Sequence, residues 1–257
     1  MKKIIKKIKT ACQKAIDIIF PIECLNCKKE GRWLCETCAK KIQINVDPHC
    51  PACRAETTFG EYCANCQKNY SLRGAFISAS YSDELVKKLI KTFKYRFVSS
   101  LNSELVKIMV FYLDELLKKS QRAAWLNQAR GVDAPKILRH FKEVLVIPVP
   151  LHRRRERWRG FNQARVLAEN FAQHYHLRIN DHDLKRVKYT TSQAELNETQ
   201  RRQNIKKSFV WQGGDLKSKN IMLVDDVLTT GATLDECASV LKKAGAGEIW
   251  GLVVAKN

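Results

Sequence analysis

Long apolar runs are missing from this 257-residue sequence. No stretch approaches the roughly 18–20 consecutive apolar residues that cross a bilayer, and lysines interrupt the opening segment before such a run can develop. The absence argues against a membrane-spanning protein, and the chain is expected to be soluble and cytoplasmic. Acidic residues are scarce as well. There are 26 Asp and Glu against 46 Lys and Arg, a formal net charge of +20. That excess attracts phosphate-bearing partners at long range and makes the attraction salt-dependent. It does not choose between nucleic acid, a nucleotide-like small molecule and an anionic membrane surface. A Walker-type loop is disfavoured because its GK[ST] ending is lacking. Disorder is not the default, since the 45% hydrophobic content and the length suit one sizeable core plus a small accessory domain.

Residues 1–20 place Ile4, Ile5, Ile8, Ala11, Ala15, Ile16 and Ile19 at helical spacing, with lysines on the other face. An amphipathic helix is expected there, docking its isoleucines on the rest of the protein; a membrane-surface anchor is the alternative.

Eight of the ten cysteines form four CxxC turns: Cys24 with Cys27, Cys35 with Cys38, Cys50 with Cys53, and Cys63 with Cys66. A CxxC turn converges two thiolates on one ion, and two turns complete the tetrahedral sulfur shell of structural zinc at about 2.3 Å. Such a closed shell leaves no place for water or substrate, so two zinc ions are expected to build structure and not to perform chemistry. A disulfide framework would expect an oxidising compartment and an export signal, and none is visible. A thioredoxin-like role would need one CxxC at the head of a helix in a βαβ unit. Sequential pairing of the turns is the simplest arrangement, with an interleaved one left open. Residues 21–70 are too few to fold without metal, so the ions contribute to stability directly. His49 adjoins a ligand and is read as a bystander. Cys12 and Cys237 are read as small buried hydrophobes, because nothing near them supplies a base.

Beyond residue 70 the chain alternates apolar runs with helical patterns, the signature of an α/β domain over residues 71–257 with a parallel sheet flanked by helices. Strands are expected at 75–81, 144–149, 207–211, 221–224 and 248–254. Helices are expected at 83–93, 103–119, 162–175 and 233–244. Residues 120–141 have weaker periodicity and read as an insertion too polar for the core.

The segment 221–233 is the most informative. Four apolar residues, Ile221, Met222, Leu223 and Val224, make a buried strand; Asp225 and Asp226 stand at its carboxyl end; then Thr229, Thr230, Gly231, Ala232 and Thr233 form a turn opening a helix. Ligands of open α/β sheets bind just beyond this edge. The turn can aim backbone N–H groups and three hydroxyls at one anion, aided by the helix dipole. Two carboxylates cannot favour that same phosphate, so they face another part of the ligand, and vicinal ribose hydroxyls suit them. Together these parts describe a socket for a ribose 5-phosphate. The segment resembles the phosphoribosyl-diphosphate (PRPP) motif of type I phosphoribosyltransferases. That resemblance implies that Asp225 and Asp226, the candidate catalytic pair, hold the ribose hydroxyls while residues 229–233 enclose the 5-phosphate.

A second strand end, Pro148-Val149-Pro150-Leu151, runs into Arg153, Arg154, Arg155, Arg157 and Arg159 and then Gly160-Phe161-Asn162-Gln163-Ala164. Arginine forks match phosphate oxygens in pairs. In a transferase of this class the corresponding loop meets pyrophosphate, with Arg153, Arg155 and Arg159 as candidates and magnesium sharing the charge. A solvated arginine run or a nucleic-acid contact remains open. Residues 185–208 read either as a mobile loop that closes over such a site or as a plain surface connection.

Phe20-Pro21, the four CxxC turns, Phe93-Lys94-Tyr95, the strand end at Pro148, Arg159-Gly160-Phe161-Asn162-Gln163-Ala164 and the 225–233 motif together resemble the ComF family over nearly the whole chain. The resemblance implies a double zinc ribbon fused to a phosphoribosyltransferase-type domain, a link to single-stranded DNA in natural competence, and competence-machinery proteins as partners. Three functions stay open: a transferase using magnesium and PRPP with an unassigned acceptor, a zinc-ribbon module binding single-stranded DNA, and a catalytically silent PRPP-responsive regulator.

Overall fold

A computed structural model describes residues 22–45, 48–95, 99–126, 134–189 and 203–257. The helix expected over 1–20, with Cys12, lies outside the described residues, as does most of the polar stretch inside 185–208. The chain divides into two compact units, Met1–Gln43 and Ile44–Asn257.

In the smaller unit two CxxC turns face each other. The first is a turn in which the Cys24 N–H donates to Lys29 O at 2.8 Å and the Lys28 N–H donates back to Cys24 O. Lys28 sits at φ 65° to close it. The second opens the short helix α1 (Glu36–Ala39) at Cys35.

The larger unit begins with the other pair of CxxC turns, the second of which opens α2 (Ala64–Gln67) at Cys63. Then come β1 (Gly74–Ser80), α3 (Glu84–Tyr95), α4 (Asn102–Leu126), α5 (Lys136–Arg139), β2 (Leu145–Pro148), α6 (Arg153–Arg159), α7 (Gln163–Tyr175) and β3 (Arg178–Ile179). The chain continues through β4 (Leu184–Arg186), β5 (Phe209–Trp211), β6 (Ile221–Leu228), α8 (Ala232–Lys243) and β7 (Ile249–Lys256). Five strands form one sheet in the order β1-β7-β6-β2-β3, and every neighbouring pair is parallel. β6 and β7 are covered on both faces, which explains why they read as continuous apolar runs.

Alternation along the strands assigns the two faces. Ala75, Ile77, Ile147, Ile221, Leu223 and Ile249 share one core with Cys237, Ala238 and Leu241 of α8. Phe76, Val146, Met222 and Trp250 face the other way, with α4 and α7 packed along these strands. From β2 the chain moves outward to β3; from β6 it moves the opposite way to β7. The strand order therefore reverses between the carboxyl ends of β2 and β6, which is where an open α/β sheet leaves a crevice.

Three expectations need correction. The strand expected at 207–211 is not part of the parallel sheet. Phe209–Trp211 pairs antiparallel with β4 in a separate ribbon, and Leu184 and Phe209 bury their side chains in the α8 core. Residues 120–141 are not a polar insertion throughout: α4 runs on to Leu126, and Ile137, Leu138 and Phe141 are buried. The arginine loop after β2 is the helix α6. His152 caps it by accepting from the Arg154 N–H at 3.3 Å, and Gly160 ends it at φ 76°, a conformation open to glycine at no steric cost.

Candidate functional site

The cysteines form two separate four-sulfur sets, Cys24/Cys27/Cys35/Cys38 and Cys50/Cys53/Cys63/Cys66, each with all Sγ atoms within 4.8 Å of one another. Cys27 Sγ and Cys35 Sγ lie 3.5 Å apart, and Cys53 Sγ and Cys63 Sγ 3.6 Å apart. A tetrahedral zinc at about 2.3 Å from each sulfur needs edges of about 3.8 Å, whereas a disulfide would need about 2.05 Å. Both sets fit a structural zinc ion, and the pairing is sequential. Backbone N–H groups point at the sulfurs, from Cys35 to Cys24 Sγ at 3.5 Å and from Cys63 to Cys50 Sγ at 3.4 Å. Burial opposes ionisation of Cys24, yet the backbone donors of Cys27, Cys35 and Asn26 outweigh it and lower the thiol to about 6. Cys50 is lowered to about 7 in the same way. Each set thus holds a thiol biased toward the thiolate form that binds metal. His49 is exposed and outside both sets, and Cys237 is fully buried, as expected.

At the reversal of strand order lies a cleft of about 340 Å³. Its walls bring together Asp225 and Asp226 of β6, Thr229 and Gly231 of the turn that follows and Thr233 of α8 with Arg155 and Arg159 of α6. Arg153, Thr230 and Ala232 are not on its wall. The Thr230 hydroxyl instead accepts from the Ala232 N–H at 3.4 Å. Gly231 sits at φ 80° as the N-cap of α8, so the turn needs glycine to reverse the chain beneath the crevice.

The two acids are not equivalent. Asp226 is 7% exposed and pairs with Lys94 at 2.9 Å. Burial works against the charge of Lys94, but Asp226 more than compensates and holds it protonated. Among the described residues no cation forms such a pair with Asp225. Burial first, and the neighbouring Asp226 charge second, raise it to about 7, although the Asp226 N–H, Lys94 and Arg186 pull the other way. A raised folded-state pKa means that protonation favours the folded form. Stability from this group is complete below the unfolded value near 4 and is lost as pH rises through about 7. Asp225→Asn should therefore raise the melting temperature at pH 8 by about 2–4 °C for each kcal/mol released. The gain should disappear below pH 4, and thermal melts across that range check it.

Several residues of the site had no role assigned from sequence. Lys94 reaches Asp226 from the end of α3, and Arg186 enters the cleft from β4. Burial, with Arg155 beside it, lowers the Arg186 pKa. The Gly160-Phe161-Asn162-Gln163 run works mechanically. Phe161 packs on Phe93, next to Lys94, at 5.4 Å between ring centroids. Asn162 caps α7 by accepting from the Ala164 N–H and ties back to Val149 O at 3.1 Å. Gln163 Oε1 accepts from Arg159 Nη1 at 3.1 Å, and among the described residues the buried Gln163 Nε2 has no partner.

Among the described residues no helix is long and apolar enough to cross a membrane. Residues 15–67 match the double zinc ribbon domain, and residues 162–257 match the phosphoribosyl transferase domain. Competence protein F of Haemophilus influenzae is 30% identical over 247 residues, covering 92% of this chain and 98% of its own. The DNA utilization protein YhgH of Escherichia coli is 27% identical over 86% of this chain and 90% of its own. Competence protein ComFC of Bacillus subtilis is 26% identical over 84% and 81%. The match to the Haemophilus protein extends from end to end of that relative and takes in both domains, so this chain belongs to the ComF family of competence proteins.

Proposed function

We propose that the cleft between β2 and β6 binds PRPP with magnesium, the ribose hydroxyls on Asp225 and Asp226, the 5-phosphate in the turn 229–233 and the pyrophosphate toward Arg155 and Arg159. The observation that carries the reading is the meeting, in one crevice, of an acid pair, a Thr/Gly turn at a helix start and an arginine helix. The acids accept hydrogen bonds that are charge-assisted, and the arginines offer paired donors. Among the described residues the clusters of three or more metal-ligating groups are the two cysteine sets. Magnesium at the acid pair would therefore take most of its ligands from substrate and water, and would neutralise the departing pyrophosphate. Transfer of the phosphoribosyl group to an acceptor is the reaction such a site would serve, with a PRPP-responsive role in its absence.

The names of the relatives speak of competence and of DNA utilization; from these we propose a role in the uptake or processing of single-stranded DNA, in the cytoplasm and alongside competence-machinery proteins. One surface favours contact with single-stranded DNA. Trp158 is 64% exposed on the arginine-bearing α6 and Tyr189 is 49% exposed, with the Arg154 guanidinium 5.3 Å from the Tyr189 ring centroid. Cations interleaved with exposed rings suit a flexible strand, whose bases stack while its phosphates are neutralised.

Calorimetric titration separates these activities. PRPP with magnesium should bind at one site per chain, and no heat at saturating concentration would remove the first reading. A single-stranded oligonucleotide should bind with a log–log salt slope of about −0.7 per phosphate neutralised. Trp158→Ala should weaken that binding by about 1–3 kcal/mol while leaving PRPP binding alone.

A further inference from the structure

We infer that the second cysteine knuckle, residues 50–66, positions the turn 229–233, with Tyr62 and Asp235 as the positioning residues that couple its metal to the cleft. The inference rests on the ligand reading above only for its affinity arm; the coupling itself stands on geometry within the larger compact unit.

Three ties join knuckle and cleft. Tyr62, next to the ligand Cys63, is 2% exposed and stacks on Tyr70 with centroids 4.0 Å apart. Its hydroxyl lies only 3.2 Å from where a side chain on Gly231 would begin. The phenol is thus the floor on which the turn rests. Asp235, in the first turn of α8, accepts through Oδ1 from the N–H groups of Ser71 at 2.7 Å and Leu72 at 3.2 Å. Its own N–H donates to Gly231 O at 2.9 Å. One residue therefore holds the turn with its backbone and the segment leading out of the knuckle with its side chain. The third tie is at the end of β7, where Lys256 Nζ donates to Pro51 O, inside the Cys50–Cys53 turn, at 2.7 Å. The adjacent Asn257 lies on the cleft wall and donates its N–H to Leu228 O at 2.9 Å.

A four-residue helix and two tight turns have almost no core of their own, so the sulfur–metal bonds fix their conformation. Fixing the knuckle fixes Tyr62 and the Ser71–Leu72 backbone, and through them the turn. A cradle of backbone N–H groups binds an anion well only when its amides already point inward. Loss of metal from this knuckle should consequently loosen the cradle while the sheet, sealed by its own apolar faces, stays intact.

Amide hydrogen exchange on the full zinc-loaded chain tests the coupling without any ligand. As a chelator removes zinc, the amides of Ala232 and Asp235 should lose protection in the same step as those of residues 50–66, by about tenfold or more. The β6 and β7 amides should follow later. In Asp235→Ala the turn amides should exchange about tenfold faster and PRPP affinity should fall about tenfold, with both zinc ions retained. Asp235→Asn, which keeps an acceptor, should fall between it and the native chain. Holo-like protection of the turn after residues 50–66 have lost metal overturns the inference, as does uniform loosening of sheet and turn in Asp235→Ala. If the native chain fails to bind PRPP, the ligand reading falls, and the exchange measurement still decides the coupling.

Discussion

Replacing both carboxylates, in Asp225→Asn/Asp226→Asn, should lower the affinity for PRPP with magnesium by about 100-fold to 10,000-fold. Each hydrogen bond to a charged acceptor is worth about 1.5–3 kcal/mol, and the two together about 3–6 kcal/mol. The single variants should differ in a way that a simple charge count does not anticipate. Asp226→Asn leaves Lys94, whose side chain is 19% exposed, facing an amide instead of its counter-ion, so it loses stability along with affinity. Asp225→Asn loses affinity but relieves a half-buried acid already crowded by its neighbour. Calorimetry and thermal melts on the three variants separate the binding role of each acid from its structural one. The same asymmetry gives binding a pH dependence. Asp225 must give up its proton to act as a full acceptor, so affinity should weaken as pH falls through about 7.

Gly74→Ala should be strongly destabilising. A methyl group there would strike the Trp250 ring and come within 2.5 Å of Gly60 O and 2.7 Å of Glu61 Cα. The last two are backbone atoms of the knuckle segment, held by the Ala75 N–H to Gly60 O bond at 2.9 Å, and they cannot rotate away. Trp250 is fully buried and stacked on Phe76 with centroids 4.6 Å apart, so it cannot yield cheaply either. Overpacking of this kind costs about 3 kcal/mol or more, a fall of about 6–12 °C in melting temperature. Gly214→Ala, with open space around its Cβ position, is the matched control and should stay within about 0.5 kcal/mol of the native protein.

What could be read from the sequence was local. The zinc sets were legible because a CxxC turn places two ligands by itself, and only the pairing of turns needed three dimensions. β6 with Asp225 and Asp226 was legible because strand, acids and turn are contiguous. Lys94 and Arg186 stayed without a role because they meet the acids only through tertiary folding, the first from a helix end and the second from a three-residue strand. β3 and β4 are too short to show an alternating pattern. α6 carries a single large apolar residue, Trp158, and that side chain points out to solvent, so no helical period marks it. Ile137, Leu138 and Phe141 looked peripheral because their neighbours in sequence are basic; their burial is decided by packing. The second knuckle belongs to the zinc ribbon by sequence match, which runs to residue 67, and to the larger unit by packing.

The central claim is that the crevice beyond β2 and β6 is a phosphoribose socket. Crystals of the full chain soaked with PRPP and magnesium at saturating concentration test it most directly. The account predicts density with the sugar hydroxyls within hydrogen-bonding distance of Asp225 and Asp226 and the 5-phosphate against the amides of residues 229–233. An empty crevice under those conditions, or a ligand bound only elsewhere on the basic surface, would contradict it.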